Sequence, residues 1–526
     1  MKKLQKILIL LVFILMLTAC AKEDDDDDDR ERKPREEAVE KVEDNEKFVE
    51  IDKKRYEAYL DALEDIIEDN EWPEGGQVME GSFRIEDNRF AICDIDMDGK
   101  DELIVDISSA SMAGMIMQIY DYDAKEDELV SQGVFFPAVD FYDNGVVCEY
   151  ASHNQGPTDF WPYAFSWFNS KENTYVAEGS VYAEDKEYMG DSFPADKDAD
   201  GDGRIYYISE GDSKEKASTE AEYKEWQDSY IKDANTIYIP WKNMWIHTVE
   251  ALEELIEIKG AVVPISLGYN EDITNYDVTG DGVADQIHIT CNQLAEYEMW
   301  DLYGSDWVIE INGKKIHDFE WEDEITLEVE LYQISDKRQY LLVTESYEYN
   351  DDIGGYALYQ VKDGKLVQVC DFYDTYVSSM NEFHYGATVM YMTKDEMMVR
   401  AHNQFNATAS LSYDMFYTYK KDAWQIEGDE FGIYYDLDYQ NDKADGMTAN
   451  QSFGVYTKTD CKKEAFKVEK GDVLKIHSIR FENGATYFKV TNEDGVEGWF
   501  PDPEEPYTEI NGEYLNGYFE EAMFAG

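Results

Sequence analysis

The sequence predicts a mainly β fold with a few helices, an α+β chain, on three observations. From Phe90 onward, short runs alternate apolar and polar residues between hairpin dipeptides: Asn144-Gly145, Asn312-Gly313, Asp363-Gly364, Asn483-Gly484 and Asp494-Gly495. Only three stretches read as helices, two from the helical spacing of their apolar residues and one from a capping box. Hydrophobic residues are 43% of the chain and aromatics 14%, with 40 Tyr, so cores can form despite a formal net charge of −70. At 526 residues the chain has room for about three or four domains.

The first helix is expected over 53–69, where Tyr56, Tyr59, Leu60, Leu63, Ile66 and Ile67 share one face and Asn70 to Gly76 end it. The second follows Thr219, whose partner Glu222 three residues on makes a capping box. The third runs over 242–258 with Trp245, Ile246, Val249, Leu252, Leu255 and Ile256. The strand segments repeat. Glu102-Leu103-Ile104-Val105 matches Tyr340-Leu341-Leu342-Val343, and Ile119-Tyr120 with Leu129-Val130 matches Leu358-Tyr359 with Leu366-Val367. His153-Asn154-Gln155 matches His402-Asn403-Gln404, and Tyr175 to Gly179 matches Trp424 to Gly428. Four matches in the same order predict a diverged duplication, with one copy over 90–180 and the other over 328–430, each a β-meander. From about 450 three strands follow on tight turns, Val473 to Phe481, Thr486 to Val490 and Val496 to Phe500, a meander able to curl into a small barrel.

The N-terminus has a cationic start, an apolar run from Ile7 to Leu17 and small residues before Cys20, the layout of an export signal. The run is too short to span a bilayer comfortably. Leu17-Thr18-Ala19-Cys20 resembles the lipobox of bacterial lipoproteins, which implies cleavage before Cys20, a lipid on its sulfur and anchoring on the outer face of the cell membrane. Ala21 to Lys47, including the run Asp24 to Asp29, is almost wholly charged and reads as an extended tether. The remaining cysteines, Cys93, Cys148, Cys291, Cys370 and Cys461, are scattered singly, so neither a disulfide framework nor a zinc site is implied. The acidity excludes a generally basic nucleic-acid surface.

Two segments carry metal-ligand spacing. Asp94-Ile95-Asp96-Met97-Asp98-Gly99-Lys100-Asp101-Glu102 puts carboxylates at positions 1, 3, 5 and 9, Gly at 6 and a main-chain carbonyl, that of Lys100, at 7. Asp277, Thr279, Asp281, Val283 and Asp285 repeat the scheme, with Thr at position 3. Alternate residues of such a loop point inward, and Gly permits the turn. Both loops run into a β-like segment, and neither has the position-12 Glu of an EF-hand. They resemble the calcium loops of FG-GAP and VCBS-type β-propeller repeats, which implies a structural Ca²⁺ and propeller-blade-like meanders. Hard oxygen donors favour Ca²⁺ over thiolate-seeking metals. Asp198, Asp200 and Asp202 form a third, weaker candidate, because position 9 is Tyr206. In the second copy Asp336 aligns with Asp98, but Lys337 and Arg338 follow, so that copy is expected to hold no metal.

Lys470-Gly471-Asp472, Tyr487 to Val490, Asp494-Gly495 and Gly498-Trp499-Phe500 resemble bacterial SH3-like (SH3b) domains, which often bind cell-wall peptides or serve as docking modules. Tyr487 and Trp499 are the groove candidates; a core place for Trp499 is at least as good a reading. The chain thus divides into residues 1–20, a lipoprotein signal peptide; 21–47, the tether; 48–260, an N-terminal α+β domain with the first repeat; 261–445, a second β domain with the second repeat; and 446–526, the SH3-like domain and tail. No nucleophile, zincin or phosphate-loop motif is found, and 116 acidic residues deprive any carboxylate pair of diagnostic value. The favoured expectation is a non-catalytic, calcium-stabilised surface protein that binds wall peptide, glycan or another envelope protein. The alternatives are a secreted polysaccharide or peptide hydrolase and a solute-binding lipoprotein.

Overall fold

The structure, a computed structural model, describes residues 47–79, 81, 83–154, 156–157, 159–211, 213–291, 294–297, 301–347, 353–372, 384–435, 446–504, 507–510, 513–520 and 522. The signal segment with Cys20, the acidic run Asp24 to Asp29 and Gln155 lie outside them. The first helix, α1, is Lys53–Glu64, capped where the Asp52 carboxylate accepts the Arg55 N–H at 3.4 Å. A π-helical turn, Asp65–Asp69, extends it, and Asn70 ends it in the left-handed region at φ 56°. After a single helical turn at Lys186–Met189, the next long helix, α2, is Glu220–Ile231, and the Thr219–Glu222 capping box forms in both directions. The third, α3, is Ile246–Glu257, shorter than its apolar spacing suggests, because Lys242 and Asn243 are drawn into strand pairing with Phe90 and Arg89.

The chain is mainly β, in antiparallel sheets of which none closes on itself among the described residues. The first sheet contains β1 (Arg89–Cys93), β2 (Glu102–Ile107), β3 (Ile116–Asp123) and β4 (Glu128–Phe135). One face carries Phe90, Leu103, Val105 and Tyr120 against α1 and α3, through Tyr59, Leu63 and Leu252. The opposite face carries Ala91, Ile104 and Ile119 against Phe141, Val147 and Ile237. With both faces covered, β2 is buried along its whole length, including two acids, Glu102 and Asp106. Asp106 is matched by Arg89, whose Nε donates to it at 2.7 Å. A six-stranded sheet from Val139 to Ser218 takes α2 on one face, where Trp226 lies 5.3 Å from the Phe165 ring. A nine-stranded sheet from Ile265 to Asp371 and an eleven-stranded sheet from His384 to Pro501 complete the larger layers.

The hairpin dipeptides occupy turns, in two geometries. At Asn312-Gly313, Asp363-Gly364 and Asn483-Gly484 both residues have positive φ, as a two-residue hairpin turn demands. At Asn144-Gly145 and Asp494-Gly495 only the Gly does. The two meanders share their register. Leu103 pairs with Tyr120 and Ile104 with Ile119; Leu341 pairs with Tyr359 and Leu342 with Leu358. Each third strand then slips at the same place, between Ile119 and Tyr120 and between Leu358 and Tyr359. The residue left over opposite the slip is Gln132 in the first meander and Val369 in the second.

The C-terminal strands Val473–Glu482, Ala485–Asn492 and Glu497–Pro501 pair in succession. Val473–Glu482 also pairs with Glu430–Tyr434, Ile479 opposite Phe431, so one sheet runs across the 445/446 boundary expected from sequence. At the other end, Lys47 to Val49 are stitched to Ile334 to Asp336. Val49 N–H donates to the Ile334 carbonyl at 3.1 Å, Asp336 N–H to the Lys47 carbonyl at 3.0 Å, and Lys47 N–H to the Asp336 carboxylate at 3.0 Å. No helix among the described residues is long and apolar enough to cross a membrane.

Candidate metal centre

The loop between β1 and β2 gathers Asp94, Asp96 and Glu102 so that one carboxylate oxygen from each lies within 4.8 Å of the others. Local backbone chemistry builds it. Gly99 N–H donates to Asp94 at 2.9 Å, Asp98 N–H to Asp96 at 3.0 Å and Lys100 N–H to Asp98 at 2.9 Å, while Met97 and Gly99 take φ of 64° and 87°. Glu102 closes the loop from the first position of β2 by accepting the Ile95 N–H at 3.0 Å. Asp98 turns outward to an exposed pair with the Lys100 ammonium, a weak contact in water.

Burial pushes the Glu102 carboxyl up to about 9, with the Asp96 charge adding to it. Burial and then Asp98 push Asp96 up to about 6, and burial raises Asp94. Carboxylates held this close repel one another unless a proton or a cation neutralises them. Three polar atoms on side chains at this cluster are buried without a hydrogen-bond partner: Asp94 Oδ1, Gln132 Oε1 and Tyr175 Oη. Gln132 Nε2 donates to Asp96 at 3.1 Å, and the Tyr175 hydroxyl feels the charges of Asp96, Glu102 and Asp94. This oxygen-rich, sulfur-free set fits a hard divalent cation.

Helix α1 fixes the far side of the loop. Tyr56 Oη donates to the Asp101 carboxylate and Tyr59 Oη to the Asp101 carbonyl, each at 2.9 Å. Arg55, 3% exposed, donates to that carbonyl at 3.1 Å, to Tyr59 Oη at 3.0 Å and to the Asp121 carboxylate.

The second loop is built differently. The Asp277 carboxylate accepts N–H groups from Gly280 at 2.6 Å and Gly282 at 2.7 Å, and Val283 N–H donates to Asp281 at 2.9 Å. Asp285, 2% exposed, accepts the N–H groups of Val278 and Thr279 at 2.9 Å and the Asn312 side-chain amide at 2.7 Å. Its oxygens are committed to protein donors, and Asp277, Asp281 and Asp285 are not drawn into a cluster like that of the first loop. The third loop does gather Asp198, Asp200 and Asp202 within 4.8 Å, but on the surface. Its position-9 residue, Tyr206, is 5% exposed and stacks on Tyr223 at 4.5 Å. Neither a family model nor a curated protein matches this chain.

At the C-terminal module Trp499 is 9% exposed, with the Arg480 guanidinium 5.0 Å from its ring centroid. Tyr487 is half-buried, opposite Arg480 on one side and Pro501 on the other. Sequence reasoning named the loop acids but missed Gln132, Tyr175 and Arg55. Aligning the two meanders offers a signal for Gln132: a polar residue where the meander without the acidic loop has Val369.

Proposed function

We propose that this chain is a lipid-anchored, calcium-stabilised, non-catalytic binding or adaptor protein of the bacterial cell surface, built on a duplicated meander and a C-terminal SH3-like module. One observation carries the ion reading. Half-buried Asp94 and buried Asp96 and Glu102 are held together, beside buried polar atoms of Asp94, Gln132 and Tyr175 that no protein group satisfies. The Asp94, Asp96 and Glu102 carboxylates would hold the ion, whose charge would offset their repulsion. The role is stabilisation by mass action. The second and third loops are weaker sites, the second because Asp285 is already engaged and the third because Asp200 and Asp202 are exposed. The shared register of the two meanders, down to the same slip, supports the duplication.

Anchoring rests on the sequence ending in Cys20, and the choice of wall material or another envelope protein as partner rests on the SH3-like resemblance. The test is thermal unfolding in EDTA and in millimolar calcium, followed by sedimentation with purified cell wall in each. Calcium should raise the melting temperature and the protein should co-sediment. An unchanged melting curve overturns the ion reading, and a protein left in the supernatant in both conditions overturns the wall-ligand reading.

A further inference from the structure

We propose that the calcium site extends beyond its loop to Gln132 and Asn173, which position Asp96 and make ion binding a clasp between the first and second sheets. This inference rests on the ion reading of the Asp94–Glu102 loop. Gln132 is the surplus residue of the β3–β4 slip. A bulge breaks strict alternation, so it can aim a side chain where a regular strand would not. Ser131 beside it is exposed, whereas Gln132 is 0% exposed, an unusual place for a primary amide.

Its Nε2 spans two elements, donating to Asp96 at 3.1 Å and to the Asn173 side-chain carbonyl at 2.9 Å. Asn173 sits in the turn between strands Tyr163–Asn169 and Thr174–Asp185 of the second sheet, at φ 52°. Its own amide donates to Asp121 at 2.7 Å, and Asp121 is the partner of Arg55. Thr174 adds a hydroxyl donated to the Gln132 carbonyl at 2.8 Å. A chain of polar contacts therefore leads from an ion-ligating carboxylate through Gln132 to a turn of another sheet, and on to α1.

The second meander supplies the internal comparison. It has the same slip but no acidic loop, and its surplus residue, Val369, packs against the apolar core. An amide appears where there is a carboxylate to orient, and an aliphatic side chain where there is none. Hydrogen-bond partners of metal ligands set ligand orientation, and removing them typically weakens metal binding ~10–100-fold.

The experiment titrates Ca²⁺, with Tb³⁺ luminescence as a second probe, into the full chain and its Gln132→Val and Asn173→Gly variants. Valine is accommodated at the equivalent slip, and glycine suits the positive φ of residue 173, so both variants should fold. Gln132→Val should weaken Ca²⁺ affinity ~10–100-fold, and Asn173→Gly should weaken it less. In hydrogen exchange, calcium should slow residues 170–175 together with 94–102 in the wild type, but only 94–102 in Gln132→Val. A role confined to folding would leave both affinity and this coupled protection unchanged. Wild-type binding with unaltered affinity in both variants overturns this proposal alone; a wild type that binds neither ion overturns the underlying reading as well. If Gln132→Val loses cooperative unfolding, Asn173→Gly decides.

Discussion

Replacing Glu102 by Gln should make the chain more stable than wild type without the ion and less stable than wild type with it. Glu102 is 1% exposed, and burial moves its carboxyl from the ordinary 4.5 up to about 9. Without an ion, the folded chain holds a proton that the unfolded chain releases above about 4.5. Stability therefore falls as pH rises from 4.5 towards 9. By pH 7 the loss amounts to about 3 kcal/mol, at 1.36 kcal/mol per pH unit. Glutamine has the same length, carries no charge and can still accept the Ile95 N–H. In EDTA at pH 7, Glu102→Gln should therefore be more stable than wild type by up to about 3 kcal/mol, and at pH 4.5 the two should match. In calcium at about a thousand times its Kd the wild type gains about 4 kcal/mol, while the variant gains little, so their order inverts. Urea unfolding at pH 4.5 and 7, in metal-free buffer with EDTA and in calcium, reads all of this. A variant less stable than wild type in EDTA at pH 7, or one responding to calcium equally, would refute the reasoning.

Three further outcomes follow from individual contacts. Arg55→Met takes the cation from the Asp121 carboxylate, leaving it only neutral N–H donors such as the Asn173 amide, and removes a donor from the Asp101 carbonyl, which should cost ~3 kcal/mol by urea titration. Thr219→Ala removes the α2 capping box and should cost about 1 kcal/mol. In Gly498→Ala the new methyl would lie 2.5 Å from Val455 Cγ1 and 2.8 Å from the Tyr456 carbonyl. That crowding should cost ~1–3 kcal/mol and speed hydrogen exchange over residues 453–500.

What the sequence disclosed was local chemistry. The capping box at Thr219, the Gly turns and the Asp94–Glu102 spacing each depend on residues within one turn of chain, and the structure forms all three. Spacing alone did not separate the first loop from the second. That difference lies in Asn312, distant in sequence, whose amide occupies Asp285. Gln132 was hidden for a related reason. Its position depends on a strand slip, and a one-residue slip changes which face a side chain meets. The start of α3 was misplaced because pairing of Lys242 and Asn243 with β1 overrode helical spacing.

The stitch between Lys47–Val49 and Ile334–Asp336 also decides how the molecule meets tension. Helix α1 follows immediately in sequence, yet a pull delivered from ahead of Lys47 reaches the nine-stranded sheet, at Ile334–Asp336, before it reaches that helix. Two main-chain hydrogen bonds and one to the Asp336 carboxylate take the load first. They can release and re-form as a small local opening that leaves the acidic loop and its helical clamp undisturbed.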